Sequence, residues 1–224
     1  MPPVDAWPRT LQRHPSAALL AVQLLGVVVY PFMDGSAAGR AAFSLFSLVV
    51  LVLAVWALRT TPALTWVSVL LGVPVVVLTL LEGFNPSDEG IVLWSSVLHA
   101  AFYFYTTYGL LRYMFNDRRV TPDELFAVGA TFTVVAWAFA YLYVAVQIIW
   151  PGSFTAALDT EMPRTWVELL FLSFTTLTST GLSDVIPVQP HARSLVMIEQ
   201  VAGLMYVALV ISRLVGLTLY RERR

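Results

Sequence analysis

The sequence has no cysteine and no lysine, and histidine occurs only at His14, His99 and His191. The absence of cysteine excludes disulfides, thiolate metal sites and catalytic thiols. Three scattered histidines do not favour a histidine-built metal site. No acidic pair that could bind a metal and no group of nucleophiles stands out in the sequence. We therefore expect a protein that is not an enzyme and that needs no cofactor.

Charge is scarce as well. Charged residues make up 12% of the chain and hydrophobic residues 58%, and the mean hydropathy of +0.75 lies outside the range of soluble globular domains. Six segments come near the ~20 residues that cross a bilayer as a helix. They are 17–32, 41–58, 63–81, 91–115, 125–150 and 195–219. The sequence thus predicts an all-α, multi-pass membrane protein whose partner is the lipid bilayer, and no nucleic-acid partner.

All thirteen basic residues are arginine, and their distribution between the predicted spans indicates an orientation. Six spans place both termini on one side of the membrane. With the termini inside, the cytoplasmic face receives Arg9, Arg13, Arg59, Arg112, Arg118, Arg119, Arg213, Arg221, Arg223 and Arg224, and only Arg40, Arg164 and Arg193 lie outside. This excess follows the positive-inside rule. It predicts a cell-membrane protein with cytoplasmic termini.

The segment 165–177 is apolar enough to enter a membrane, but at about 1.5 Å per residue it is too short to cross one as a helix. A run of Thr, Ser and Gly at 178–183 follows, then Asp184. Irregular backbone at membrane depth is tolerated only where it is buried in protein or lines water. We interpret the segment as a re-entrant pore loop between spans 5 and 6, with Asp184 at an outer mouth that favours cations. The alternative, an ordinary polar loop, would not need an apolar half-helix before it.

The most polar cytoplasmic connection, 116–123, divides the chain. Thr121 and Pro122 are typical of a helix start, because threonine caps and proline suits the first helical position. We expect a four-helix transmembrane domain at 1–120 and a pore domain at 121–224. One pore loop cannot enclose an ion alone, so the sequence predicts a homotetramer with four-fold symmetry around a shared pore.

Residues 125–219 resemble the pore module of the potassium-channel superfamily, and the whole chain is similar to small bacterial six-span members. In that family a Thr-Val-Gly-Tyr-Gly-Asp filter replaces the hydration shell of potassium with carbonyl oxygens. The aligned filter comprises Thr178, Ser179, Thr180, Gly181, Leu182 and Ser183, before Asp184. The resemblance implies potassium binding at Ser179, Thr180 and Gly181, with K⁺ as the permeant ion.

Two departures from the family pattern fall in the outer half of the filter. Leu182 replaces a tyrosine that the family anchors to the pore helix, and it can offer only packing against Phe171, Phe174 or Trp166. Ser183 replaces a glycine that the family holds in a left-handed conformation, where serine carries a steric cost. We therefore expect potassium to permeate while sodium is rejected poorly.

Three further residues are candidates for support and gating. Gly203 lies where the family's inner helix carries a hinge glycine, although close helix packing explains it equally well. Glu199 is an ionisable group inside a span, which marks a functional candidate. It either faces the cavity or, as we prefer, accepts hydrogen bonds behind the filter. Glu168 could support the pore helix in a similar way or be solvated near its outer end.

The fourth span offers Arg112 alone where a voltage sensor carries arginines at every third position. We therefore expect the first four spans not to form a functional voltage sensor, and opening to be nearly independent of voltage. The alternative class is a secondary transporter, or another membrane transport subunit of unknown solute. Transporters usually show paired repeats, and none is visible in this sequence.

Overall fold

The structure, a computed structural model, describes residues 14–32, 37–59, 65–116 and 121–222. These residues form seven α-helices: α1 (Pro15–Val29), α2 (Ala37–Leu58), α3 (Thr65–Phe84), α4 (Glu89–Phe115), α5 (Pro122–Ile149), α6 (Trp166–Leu177) and α7 (Pro190–Glu222). A 3-10 turn, Tyr30–Phe32, follows α1. The strands β1 (Phe154–Thr155) and β2 (Ile186–Pro187) pair antiparallel between α5 and α7. The predicted all-helical fold is confirmed.

Several of these helices have the length and composition of membrane segments. Within the described residues, Trp66–Phe84, Pro122–Ile149 and Pro190–Arg213 are long and apolar enough to cross a membrane. The apolar helices Pro15–Val29, Leu45–Leu58 and Trp166–Leu177 are shorter. Helix α4 falls in neither group, and its buried residues include the polar Ser95, Ser96, His99 and Thr106. The helices fit a helical membrane protein.

The starts of α4 and α5 follow from local capping. Asp88 accepts hydrogen bonds from the backbone N–H groups of Gly90 and Ile91 at the start of α4. At the start of α5, the Thr121 hydroxyl accepts from the Glu124 N–H at 3.2 Å, and Pro122 occupies the first turn. Both caps satisfy N–H groups that have no partner within the helix. The predicted helix start at Thr121 is confirmed.

Helix α5 packs against α1, α4, α6 and α7, and it is buried along most of its length. Its Trp137 makes edge contacts with Tyr103 of α4 at 5.9 Å and with Trp166 of α6 at 5.1 Å between ring centroids. Helices α2 and α3 pack against each other, and α3 also packs against α4. One apolar core therefore contains residues from both sides of the proposed division at 120.

Some sequence-based predictions fall outside the described residues. The arginines concerned are Arg9, Arg13, Arg118, Arg119, Arg223 and Arg224. The middle of the predicted cytoplasmic connection, 117–120, and the first two residues of the predicted span 63–81 also lie outside them.

Candidate functional site

Helix α6 begins with a reciprocal cap. The Thr165 hydroxyl accepts from the Glu168 N–H at 3.4 Å, and the Glu168 carboxylate accepts from the Thr165 N–H at 2.6 Å. The same carboxylate lies 3.4 Å from the Arg164 guanidinium. This is a capping box, which satisfies two backbone donors at once. Glu168 therefore supports α6 at its first turn.

Arg164 ties the start of α6 to the C-terminal end of α5. Its side chain is buried and donates to the carbonyl groups of Asp159 and Met162. Its backbone N–H and C=O pair with the Gln147 side-chain amide at 2.9 and 2.8 Å. Sequence reasoning had placed Arg164 only on the outer surface. The Thr165-x-x-Glu168 pattern directly after it was the available signal that a helix start lies here.

The other end of α6 lies deep between α5 and α7. The Ser173 hydroxyl lies 2.9 Å from the Ala136 carbonyl oxygen in the middle of α5. A Cβ atom on Gly203 would lie 2.4 Å from the Leu177 carbonyl oxygen and 2.8 Å from its Cα. Gly203 lies roughly 20 Å along α7 from Pro190, at about 1.5 Å per residue. Close approach of two backbones therefore requires glycine at position 203, which accounts for one of its two proposed roles.

The chain after α6 turns back toward the end where α6 began. The Thr175 carbonyl accepts hydrogen bonds from the N–H groups of Thr180 at 3.0 Å and Gly181 at 3.1 Å. The Thr178 and Thr180 hydroxyls lie 3.0 Å apart. The chain then reaches β2, which pairs with β1 just beyond α5. The start of α6 and the end of this return segment thus lie on one side of the molecule.

The left-handed positions in this segment differ from those that the resemblance implied. Ser179 has φ of 58° and Gly181 has φ of 63°, whereas Ser183 is not among the residues with positive φ. The Ser183 hydroxyl instead accepts from the Val185 N–H at 3.1 Å. The expectation of a strained Ser183 is wrong. The left-handed serine is Ser179, because the backbone reverses directly after α6.

Leu182 does not pack as expected from the sequence. Its side chain is 77% exposed. The Trp166 ring is instead directed to α5, where it contacts Trp137 at 5.1 Å. Phe174 lies 6.4 Å from Phe132 between ring centroids. These aromatic rings fill the space between α5 and α6, so Leu182 does not make the packing contacts with them that the sequence left open to it. Its neighbours in the segment are also exposed, namely Thr178, Ser179, Thr180, Gly181 and Asp184.

Behind α6 a carboxyl group connects three helices. Glu199 of α7 is fully buried. One of its oxygens is hydrogen-bonded to Ser173 of α6, and the other accepts a hydrogen bond from the Tyr143 hydroxyl of α5. The sequence favoured a hydrogen bond from a hydroxyl of the segment 165–177 to Glu199, and Ser173 lies in that segment. The sequence did not point to Tyr143, because nothing in its local pattern distinguishes it from other aromatic residues of the span.

A second polar contact joins α5 and α7 at the opposite end. Arg213 of α7 forms an ion pair with Glu124 at 3.2 Å, and both side chains are largely buried. Tyr206 donates to the Val128 carbonyl at 2.5 Å. Asp123 accepts from the Ser16 N–H and hydroxyl, which caps α1.

The return segment can offer hydroxyl and carbonyl oxygen atoms as ligands for an ion. Within the described ranges, no group of three or more His, Asp or Glu side chains is placed to hold a metal ion. The segment offers the hydroxyls of Thr178, Ser179 and Thr180 together with the backbone carbonyls. Carbonyl and hydroxyl oxygens suit alkali cations, which exchange their hydration shell for such ligands.

The fold and the candidate site define a helical protein with apolar helices of membrane-spanning length and a short half-length helix followed by a polar return segment. Residues 129–219 match the family model described as ion channel, which covers less than half of the chain. The match supports an ion channel, and with the apolar helices it supports a membrane protein. No curated protein matches the chain, and no solved structure does.

Proposed function

We propose that this chain is one subunit of a homotetrameric cation channel whose axis is lined by residues 178–183. The observation that carries the proposal is the path of the chain around α6. This helix begins beside Gln147, ends against Gly203, and is followed by an exposed segment that returns to β2. A half-length helix with a polar return is the arrangement by which backbone oxygens reach membrane depth.

Helix α6 is the re-entrant element in this proposal. Its 12 residues span roughly 18 Å at about 1.5 Å per residue, well short of a bilayer core of about 30 Å. Helices α1 to α5 and α7 are then the six spans. Both termini lie in the cytoplasm, and β1 and β2 lie on the outer side of the cell membrane. The arginine distribution supports this orientation.

The exposure of the return segment supports a homotetramer. Residues 178–182 are exposed in a single chain, although an uncharged segment at membrane depth needs protein or water around it. Symmetry-related copies would supply the remaining sides of an ion site. Four-fold closure around one axis would bring four equivalent segments together.

Potassium is the proposed permeant ion, with weak discrimination against sodium. The N–H groups of Thr180 and Gly181 donate to the Thr175 carbonyl, and no described residue donates to the carbonyl oxygens of 178–183, so a cation could use those oxygens. The proposed sites are Ser179, Thr180 and Gly181. The outer part lacks an anchor, because Leu182 is exposed. A loosely held carbonyl ring would fit ions of different size with little difference in energy.

Charge at the outer end of the segment supports cation conduction. Asp184 is exposed directly after it. Carboxylates at a narrow mouth raise the local concentration of cations. In α4, Arg112 is the one arginine and lies in the last turn, so the first four helices would not act as a voltage sensor.

Purified protein in liposomes tests the proposal through two matched glycine variants. Gly181 and Gly152 both have positive φ and are exposed, but only Gly181 lies in the segment. A left-handed non-glycine residue costs about 1–2 kcal/mol. We expect wild-type protein and Gly152→Ala to conduct K⁺, and Gly181→Ala to lose or alter this flux. Equal flux in both variants would contradict the role of the segment.

Reversal potentials under opposed potassium and sodium gradients test the selectivity. We expect a small potassium preference in the wild type. The double variant Leu182→Tyr with Ser183→Gly should increase the potassium preference, because the tyrosine restores an anchor for the outer filter. The glycine alone should change little, because Ser183 does not occupy a left-handed position. Strict potassium selectivity in the wild type would contradict weak discrimination. Anion permeation would contradict the proposed function itself.

A further inference from the structure

A groove runs along the surface between α2 and α3, on helices that do not carry the return segment. Its volume is about 530 Å³, and its walls are almost entirely aliphatic. The lining includes Val52 and Val55 of α2 and Val69, Val73 and Val77 of α3. A volume of this size falls within the range of sites for small organic ligands, roughly 300–1,000 Å³.

The lining residues of α3 follow one face of the helix. Ser68, Gly72 and Val76 recur at every fourth position, so they share one face of the helix. From Ser68 to Val77 the groove extends roughly 14 Å along α3, at about 1.5 Å per residue. The space is open along its length and fits a linear apolar chain better than a globular ligand.

Arg59 gives the groove one polar end. It is exposed directly after α2, it lines the groove, and it forms no ion pair with the residues that the structure describes. Ser68 lies in the first turns of α3, at the same end, because α3 starts soon after α2 stops. The Ser68 hydroxyl is buried and has no hydrogen-bond partner among the residues that the structure describes. An apolar channel with a free cation and an unsatisfied hydroxyl at one end is complementary to an anionic amphiphile.

We propose that this groove binds one acyl chain of an anionic phospholipid, with the lipid phosphate on Arg59. The guanidinium donates paired hydrogen bonds to the phosphate oxygens. In a zwitterionic headgroup, the positively charged group of the lipid neutralises its own phosphate and weakens this interaction. The acyl chain covers the valine-rich walls, and the ester groups of the lipid lie at the end of the groove that Ser68 lines. The site gives α2 and α3 a role outside ion conduction, and it depends only on a membrane location.

Native mass spectrometry of detergent-solubilised protein tests the charged end of the site. The protein is titrated with phosphatidylglycerol or phosphatidylcholine of the same acyl composition. An arginine near a membrane surface contributes about five-fold to the binding of an anionic lipid. We expect Arg59→Gln to weaken phosphatidylglycerol binding by about this factor and to leave phosphatidylcholine unchanged. Arg112→Gln is the matched control, because Arg112 lies in α4 beside Tyr108 and outside the groove. Equal losses in both variants would overturn the headgroup assignment.

A groove-filling variant tests the apolar part. Val73 lines the groove and is 58% exposed, so tryptophan there should occupy the groove without entering the core. We expect Val73→Trp to remove the bound lipid for both headgroups. Leu70→Trp, on an exposed position of α3 outside the groove, should retain it. The same spectra report the number of chains. Retained lipid in Val73→Trp would overturn the proposal. A change in oligomer size in this variant with lipid binding intact would also overturn it, because it would show that a second copy of the chain covers the groove.

Discussion

At the scale of single residues, the contact between Gly203 and Leu177 holds the C-terminal end of α6 against α7. The two backbones approach so closely that a Cβ on Gly203 would lie 2.4 to 2.9 Å from backbone atoms of Leu177. Backbone atoms cannot yield as the end of a flexible side chain can. The close approach makes α6 and α7 one packed unit at the depth of the return segment.

Replacing Gly203 with alanine should change the stability in the opposite direction from the same replacement at an ordinary glycine in the middle of a helix. Alanine in place of a mid-helix glycine usually stabilises by about 0.5–1 kcal/mol. Gly203→Ala should instead destabilise by about 1–3 kcal/mol, because overpacking forces backbone shifts. Thermal unfolding in detergent measures the difference. Gly72→Ala is the control, since its Cβ would lie 3.6 Å from side-chain atoms of Leu51 and Phe102. A stabilising Gly203→Ala would contradict the close approach.

Glu199 is the second residue whose surroundings depend on distant parts of the chain. The single Ser173 hydrogen can go either to the Ala136 carbonyl or to Glu199, so the carboxyl group either accepts from Ser173 or donates to it. Tyr143 donates to the other oxygen in both cases. The side-chain amide of glutamine can donate to Ser173 through its NH₂ group and accept from Tyr143 through its carbonyl oxygen.

The isosteric and truncated variants of Glu199 should therefore differ sharply. We expect Glu199→Gln to keep stability within about 1 kcal/mol, because the amide can donate to Ser173 and accept from Tyr143. Glu199→Ala should lose about 3 kcal/mol, since it leaves a cavity and unsatisfied hydroxyl groups. Thermal unfolding and potassium flux are measured together, with the exposed neighbour Gln200→Ala as control. Similar losses for the glutamine and alanine variants would argue against the hydrogen-bonded arrangement.

At the scale of elements, α6 is defined by its two ends. Its start is set by local sequence, through the Thr165 and Glu168 cap and the adjacent Arg164. Its other end is set by α5 and α7, which surround Ser173 and Leu177. A helix of 12 residues has little intrinsic stability, since helices this short are marginal alone. Capping and packing must both contribute.

Loss of the cap should be visible in the first turn of α6. Thr165→Ala removes the acceptor for the Glu168 N–H and should cost about 1 kcal/mol. Backbone hydrogen exchange of residues 166–169 should accelerate. Thr160→Ala changes an exposed threonine of the preceding loop whose side chain caps no helix, and it should leave this exchange unchanged. Equal exchange in the two variants would show that the cap contributes nothing to α6.

At the scale of the whole molecule, α5 connects the first four helices to the return segment. It packs against α1 and α4 on one side and against α6 and α7 on the other. The buried ion pair between Glu124 and Arg213 adds a polar link at the end of α5 away from β1. A movement of α7 would therefore involve α5 and, through it, the first four helices.

Opening should be nearly independent of voltage, because α4 has no row of charged residues to move through the field. Planar-bilayer recordings at negative and positive potentials measure the open probability. Arg112→Gln should leave that dependence unchanged, since Arg112 lies in the last turn of α4 and contacts Tyr108. A steep voltage dependence with several effective charges would mean that another part of the chain acts as a sensor.

The sequence by itself determined the helical membrane class and most element positions. Hydrophobic length predicted spans at 91–115 and 125–150. Helices α4 and α5 occupy Glu89–Phe115 and Pro122–Ile149, and of the two α5 is long and apolar enough to cross a membrane. The half-length segment 165–177 corresponds to α6, and Thr121 starts α5 as expected. These features depend on local composition and capping, which lie within a few residues of each other.

Only the tertiary structure decided how the site is assembled. Glu199 meets Ser173 and Tyr143 across 26 and 56 residues of sequence, and no local pattern encodes such a pairing. The left-handed serine is Ser179 and not Ser183, because the direction of the chain after α6 sets the backbone conformation. Leu182 is exposed because aromatic rings already fill the space between α5 and α6. Long-range packing determines these contacts, since a side chain can occupy only the space that distant helices leave open.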